Sequence, residues 1–398
     1  EMNTFGKKGI GNESTYNAGY ALSTYISNIY GSEALSAIME ELSSPFQFSI
    51  NNAIFNVIGV TGEEVYQDFK NAIEAKYNSL VEPLKVFPVQ GSIIQNTGTT
   101  NIYPKWNPDD NAYLYLSNKG NDFFGQTDLY LHDFESGEDK KIKSGIYSAP
   151  SWHANGRIIY YSKKSKFPNK NGSRFYDIYS FNIDSEKEER LTFDARAFNP
   201  VYIHADSTIA YLSTYDGGQN INILDLRNKT SSQITDFQHR PMISYLTYDH
   251  NTKQLYFDLT QHHFRGIYSY DIEKNKMQVI SDSEIYDERN MAFSSSGWAI
   301  HCQDKSGIFN LYMTNSADTS MGYITNVTGG AFMPDISKTG KVLFSLYDKG
   351  SYNITLLDKI FYIEDDFVGY GDNYSLTNNE LEPPIVELNN AIEKPYVD

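Results

Sequence analysis

Residues 101–117 read NIYPKWNPDDNAYLYLS. A proline is followed two residues on by a large aromatic, then by a turn-forming NPDD, then by an alternating apolar run. The phrase returns as APSWHANGRIIYYS at 149–162 and as NPVYIHADSTIAYLS at 199–213. Alternation with period two is the pattern of a half-buried strand, and recurrence at long, regular spacing marks a repeat architecture.

Anchored on the proline, the equivalent positions are Pro104, Pro150, Pro200, Leu246, Met291 and Pro334, spaced by 46, 50, 46, 45 and 43 residues. Two residues after each anchor stand Trp106, Trp152, Tyr202, Tyr248, Phe293 and Ile336. Six after it stand Asp110, Gly156, Asp206, Thr252, Gly297 and Gly340, mostly turn formers. Each unit then carries two alternating runs, such as AYLYLS and DLYLHD, and most close on a short pair such as KKIK or RLTF. Four strands per unit, with units about 45 residues long, predict the blades of a β-propeller. A lone sheet of this size cannot bury both faces, so the units must stack, with the repeated aromatic packed between neighbours. A β-sandwich does not account for the long-range register.

The sixth unit lacks a closing pair of its own. Ile93 and Ile94 precede Pro104 much as Ile324 precedes Pro334. They are expected to supply the outer strand of the sixth blade and so close the ring, which removes exposed sheet edges. The expectation is a mainly β chain: a six-bladed β-propeller over 93–359, with a small N-terminal α-helical region over 1–82. A linker over 83–92 joins them, and an acidic tail or linker over 360–398 follows.

The helical region has period 3.6. Tyr16, Tyr20, Ile26 and Tyr30 share a predicted face that stops at Gly31. Ser32 is a predicted cap for a helix striped by Leu35, Ile38, Met39 and Leu42. A third helix should end at Gly59. Thr61 and Glu64 have capping-box spacing ahead of Val65, Phe69 and Ile73. Four helices in so short a stretch make a small core, so they are expected to pack on something else.

The chain has 33 basic and 50 acidic residues among 398, a net charge of −17. That disfavours nucleic acid, whose binding needs basic surface to release counterions. No run of apolar residues is long enough for a transmembrane helix, and no signal peptide is visible. The first residue is Glu1 rather than methionine, so we expect a piece of a longer chain. The single cysteine, Cys302, excludes an internal disulfide and a cysteine-based zinc site and reads as a small buried hydrophobe. There is no G-x-S-x-G, P-loop or dinucleotide fingerprint. Adjacent strand residues point to opposite faces, so His262 and His263 are not expected to ligate one metal. The strongly basic loop KKSKFPNKNGSRFYD (163–177) stands out in an acidic chain. Its Lys163, Lys164, Lys166, Lys170 and Arg174 are candidate binding residues for a protein or peptide partner.

The repeating unit NPxW…DG…IaYxS…DlYxxD…LT resembles the repeats of TolB-like propellers, also called PD40 repeats. That resemblance implies a module that binds protein partners in the bacterial periplasm, at the outer membrane or in secreted proteins. The fourth and fifth units lack the anchor proline, so their loops are expected to differ. TYNAGYALSTYISNIYGSEAL together with GVTGEEVYQDFKNAI resembles the helical C-terminal part of gluzincin (peptidase MA-like) metallopeptidases. There the tyrosine matching Tyr16, with Gly19 after it, stabilises a tetrahedral oxyanion. The zinc motif of that family, HExxH, is missing, because no histidine of this chain has the spacing. The resemblance implies no cofactor here, and zinc only with an upstream catalytic segment. In some bacterial proteins of this layout an outer-membrane barrel follows, to which the acidic tail would lead. Three functions are therefore expected in competition: a non-catalytic partner-binding propeller of the cell envelope, the substrate-filtering part of a zinc peptidase, or a periplasmic module of a barrel protein.

Overall fold

Every alternating run becomes a strand. The strands form six antiparallel sheets of four, joined in chain order. The structure is a computed structural model. It describes residues 10–370 except 124, 204–206, 216, 239–240, 262–263 and 316–320, with side chains from Tyr16 onward. His204, Asp206, His239, the His262–His263 pair and the tail from 371 therefore lie outside the described residues. The chain forms two compact units, one helical up to residue 80 and one from residue 81.

The second unit is the six-bladed β-propeller. Blade 1 spans 101–144, blade 2 151–190, blade 3 197–233, blade 4 242–281 and blade 5 288–323. Blade 6 takes three strands from 331–357 and its fourth from Ser92–Gln95, which pairs antiparallel with Ser351–Leu357 through Ile93↔Thr355. The ring closes by the predicted device. First strands of successive blades neighbour one another about the axis, and fourth strands such as Thr230–Gln233 are exposed at the rim.

The anchor of the repeat marks a β-bulge. In blades 1, 3, 5 and 6 the ladder between the first two strands slips at the anchor, between Ile102 and Lys105 in blade 1 for instance. The residue before the anchor there has positive φ: Tyr103 54°, Asn199 47°, Asn290 59° and Met333 55°. A bulge leaves one backbone amide unpaired, and proline has no amide proton to lose, so it fits where a central strand position would exclude it.

Two residues on, five aromatics and Ile336 each wedge a different junction between blades. Trp106 packs among Tyr113, Tyr115, Leu343 and Ile354 between blades 1 and 6. Trp152 lies between blades 1 and 2, Tyr202 between 2 and 3, and Tyr248 between 3 and 4. Phe293 lies between 4 and 5 and Ile336 between 5 and 6. Six junctions with separate apolar clusters replace a single core, as expected where each module buries its faces only against its neighbours.

The segments flanking the ring are held at one residue. Buried Asn326 pairs its backbone with Val89 in both directions, and its Nδ2 donates to the carbonyls of Phe87 and Phe367. Its Oδ1 accepts from the Gly369 amide, and Ile363 bridges Tyr323 at the edge of blade 5. Residues 360–370, where the repeat pattern is lost, thus lie against blade 5.

In the helical unit α1 (Ile10–Tyr30), α2 (Ala34–Leu42), α3 (Ile50–Ile58) and α4 (Gly62–Val81) follow the predicted order. The capping box forms: the Thr61 amide donates to Glu64 Oε2 at 2.8 Å and the Glu64 amide to Thr61 Oγ1 at 3.2 Å. Ser49 caps α3, and Gly59 ends it with φ 80°. Ser32 caps nothing; Glu33 occupies the cap position of α2 and makes no side-chain bond there. The predicted face of α1 is also displaced. Leu22, Ile26 and Tyr30 pack against Ile38, Ala53 and Val65, while Tyr16, Tyr20 and Met39 stay exposed. Two short partners, α2 and α3, together with α4 cover a narrower strip of α1 than the sequence stripe suggests.

Candidate functional site: an axial funnel and a basic pocket at opposite ends

Strand direction sorts the loops. Turns from first to second strands (107–111 in blade 1, 153–157 in blade 2) emerge at one end of the ring. Loops from second to third strands, and the connections between blades, emerge at the other. The first end opens into a funnel of about 650 Å³ on the axis. Its wall is the set of repeated wedge residues, Trp106, Trp152, Tyr202, Tyr248, Phe293 and Ile336, and its rim carries Asp110, His250, Lys253 and Lys338. Asp110 is a turn residue that also ties blades: its carboxylate accepts from the amides of Lys338 and Thr339.

The floor is polar, and sequence reading missed it. Lys105 Nζ donates to Tyr245 Oη at 2.6 Å and lies 3.0 Å from Asp335 Oδ1. Asp335 Oδ2 accepts from the Trp106 amide at 2.7 Å, and Trp152 Nε1 donates to the Lys105 carbonyl at 3.2 Å. Tyr103 stacks on Tyr245 with centroids 6.3 Å apart. Lys105 and Tyr103 come from blade 1 and Tyr245 from blade 4, the opposite blade of six, so the group spans the axis. Burial works against the Lys105 ammonium, but Asp335 and then Tyr245 outweigh it and hold Lys105 protonated. Burial pushes the Tyr103 hydroxyl up to about 12. The signal was present. Lys105 and Asp335 both stand one residue after the anchor, and Tyr103 and Tyr245 both stand one before it. Those positions vary between units and carry charge or a tyrosine in only some of them.

The candidate basic residues are at the other end. Lys163 Nζ is held by both carboxylate oxygens of Glu188, at 2.7 and 2.8 Å. Lys163, Lys164, Lys166 and Arg174 line a second cavity of about 420 Å³, while Lys170 is exposed farther along the loop. The structure does not bring this loop to the funnel. Tyr16, the residue implied by the peptidase resemblance, is 71% exposed on α1. Among the described residues no three His, Cys, Asp or Glu side chains are grouped to hold a metal ion. The described residues do not make a zinc site, and no step is assigned to Tyr16. No described helix is long and apolar enough to cross a membrane.

Two buried titratable groups lie on blades 4 and 5. Cys302 is fully buried, and burial pushes its thiol up to about 12, so it is an inert core residue as expected. Asp258, also fully buried, takes the Asn290 amide on both oxygens at 3.0 Å, tying blade 4 to the bulge of blade 5. Burial raises its carboxyl to about 7, against the opposing pull of Arg265 and the Asn290 amide. An acid raised in the fold favours the fold most below its unfolded value, near 3.9. Between about pH 4 and about pH 7 the unfolded chain releases this proton and the folded chain keeps it. The contribution is therefore lost as pH rises through that window. Asp258→Asn is expected to flatten the fall of the urea midpoint between those pH values. An unaltered slope in the variant would mean that Asp258 is ionised in the fold.

No family model matches the chain. Over 96 residues the sequence is 34% identical to the Tol-Pal system protein TolB of Ruthia magnifica subsp. Calyptogena magnifica. The match covers 23% of this chain and 20% of that protein, so the chain matches about a fifth of the relative's length. Among solved structures it is similar to putative TolB from Agrobacterium tumefaciens, at TM-score 0.49 and 13% identity over 68% of this chain and 93% of that one. TolB from Acinetobacter baumannii gives 0.47 and 15% over 77% and 72%. An oligogalacturonate lyase in complex with manganese gives 0.45 and 12% over 64% and 75%. The ring is thus a six-bladed β-propeller with local sequence similarity to TolB.

Proposed function

We propose that this chain is a non-catalytic propeller module that docks a protein or peptide partner in the bacterial cell envelope at its axial funnel. One observation carries the reading: the funnel has a wall of wedge side chains from all six blades and a floor crossed by Lys105, Tyr103 and Tyr245. A ring crossed at its axis offers a cup rather than a passage, which favours docking at the mouth over filtering a substrate through it. Aromatic walls with a few fixed polar groups suit the anchor side chains of a partner. The local similarity to a Tol-Pal system protein supports the envelope setting.

The test is capture from a bacterial envelope extract by the immobilised chain, compared with a Tyr202→Ala/Tyr248→Ala variant. The intact chain is expected to retain a discrete protein in near-stoichiometric amount, and the variant to lose it at a temperature where circular dichroism shows both chains folded, because the two truncations at blade junctions also lower the melting temperature. Equal capture by both would remove the funnel as the docking site.

A second reading keeps the helical unit as part of a larger zinc-peptidase body. Phe46 and Phe48, 91% and 90% exposed between α2 and α3, favour it, since two bare phenylalanines on one short connection mark an interaction surface. An HExxH helix in the gene upstream of Glu1 is the expected finding; an upstream reading frame without one removes this reading.

A further inference from the structure

The basic loop of blade 2 was singled out by its sequence, and the funnel leaves it unused. We propose that the pocket it forms with the blade 1–2 connection binds an acidic peptide segment, through carboxylates spaced along an extended chain. This site lies at the opposite end of the ring from the funnel and stands independently of it.

The pocket is built rather than draped. Ser165, almost fully buried, donates its amide to the Phe175 carbonyl at 2.8 Å, and its hydroxyl donates to the Phe167 carbonyl at 3.0 Å. Asn169 Oδ1 accepts from the amides of Asn171 and Ser173, both at 3.0 Å, and closes the loop tip. Arg174 Nε donates to the Ser165 carbonyl at 2.7 Å, which fixes the plane of the guanidinium. Its two terminal amines have no partner among the described residues. Tyr147 and Tyr176 meet edge to face at 6.0 Å beside these cations. The Arg174 guanidinium is thus placed before any ligand arrives, which reduces the ordering cost of binding at that contact.

The charges are uncommitted. Lys163 is neutralised by Glu188, but no carboxylate lines the cavity. Among the described residues Lys164, Lys166 and Arg174 make no ion pair. Three free cations in one pocket of a chain at −17 is a local reversal of the overall field. An acidic segment is repelled by most of the surface and attracted here, so the same charges give affinity and register. A cavity of about 420 Å³ exceeds what one phosphate fills. Phe167, 72% exposed beside Lys166, and half-exposed Tyr147 offer apolar contacts for residues between the carboxylates. An anionic bilayer or a nucleic acid presents a wide negative surface that the rest of this chain would oppose.

The experiment measures anisotropy of fluorescein-labelled hexaglutamate with the whole protein at low salt. Saturable binding that weakens with added salt is expected. Lys164→Glu/Lys166→Glu/Arg174→Glu is expected to weaken it at least about tenfold, as three exposed charge contacts reverse sign. The milder Lys164→Gln/Lys166→Gln should give a smaller loss and serves if the triple variant misfolds. Tyr202→Ala/Tyr248→Ala should leave binding unchanged, so failure here is separable from failure of the funnel reading. No binding by the unaltered protein, or equal binding by the charge variants, overturns the proposal. So does displacement by inorganic phosphate at the concentration of the peptide, which would make this a simple oxyanion site. Tighter binding to phosphatidylglycerol vesicles than to the peptide overturns it in favour of a membrane surface.

Discussion

Asp335→Ala is expected to lower the stability of the ring by about 3 kcal/mol, the low end for breaking a buried ion pair from one side. The Lys105 and Asp335 side chains are 14% and 19% exposed, so the funnel gives the orphaned ammonium some access to water and sets the lower figure. Two losses combine. Lys105 keeps its charge with Tyr245 as its remaining hydrogen-bond partner, and the Trp106 amide loses its acceptor. For a unit of this size the change corresponds to a fall of about 6 °C in melting temperature. All three tryptophans lie in the ring, so intrinsic fluorescence reports its unfolding. Lys105→Met/Asp335→Leu should recover most of the loss, because a buried pair replaced by apolar residues of similar volume is close to neutral. If Asp335→Ala alone left the midpoint in place, the pair would not be holding the floor of the funnel.

That pair also shows where the sequence stopped being legible. The blade count, the wedge residues and the closure by Ile93 and Ile94 followed from recurrence, because a repeat reports the same physical role many times. The floor depends on what differs between repeats. Lys105 meets Tyr245 because blades 1 and 4 are opposite in a ring of six, a relation that a linear spacing does not express. The basic loop was readable as a charge anomaly, but its distance from the funnel required knowing which way each strand runs. In the helical unit the capping box at Thr61 and Glu64 is local chemistry and formed as written. The face of α1 depends on which neighbours cover it. Leu22 therefore packs inward and Tyr16 stays out, although both sit on apolar stripes of similar period.

Closure by the early strand makes the other large prediction. Removing residues 1–95 is expected to cost the ring about 4 kcal/mol and to drive self-association, while removing only residues 1–80 should leave the blades as stable as in the whole chain. The first truncation deletes Ser92–Gln95 and with it the ladder to Ser351–Leu357. It also strips Ile94 from the blade 1–6 junction, where it packs near Ile354 and Leu356, and takes Gln95 Nε2 from Tyr115 Oη at 3.0 Å and Asp139 Oδ2 at 2.7 Å. One half-buried isoleucine, the lost strand ladder and a few unpaired polar groups account for the magnitude. Gly91 shows how closely the strand is seated: with φ at 70°, a Cβ there would lie 2.6 Å from the Leu356 carbonyl oxygen. Without the strand, 351–357 becomes a bare edge ready to pair with another chain. Fluorescence-monitored denaturation and size-exclusion elution measure the two effects. A synthetic peptide of residues 88–97 added in trans should restore both the midpoint and the monomer. A ring that kept its midpoint without residues 92–95 would be closed by some other contact.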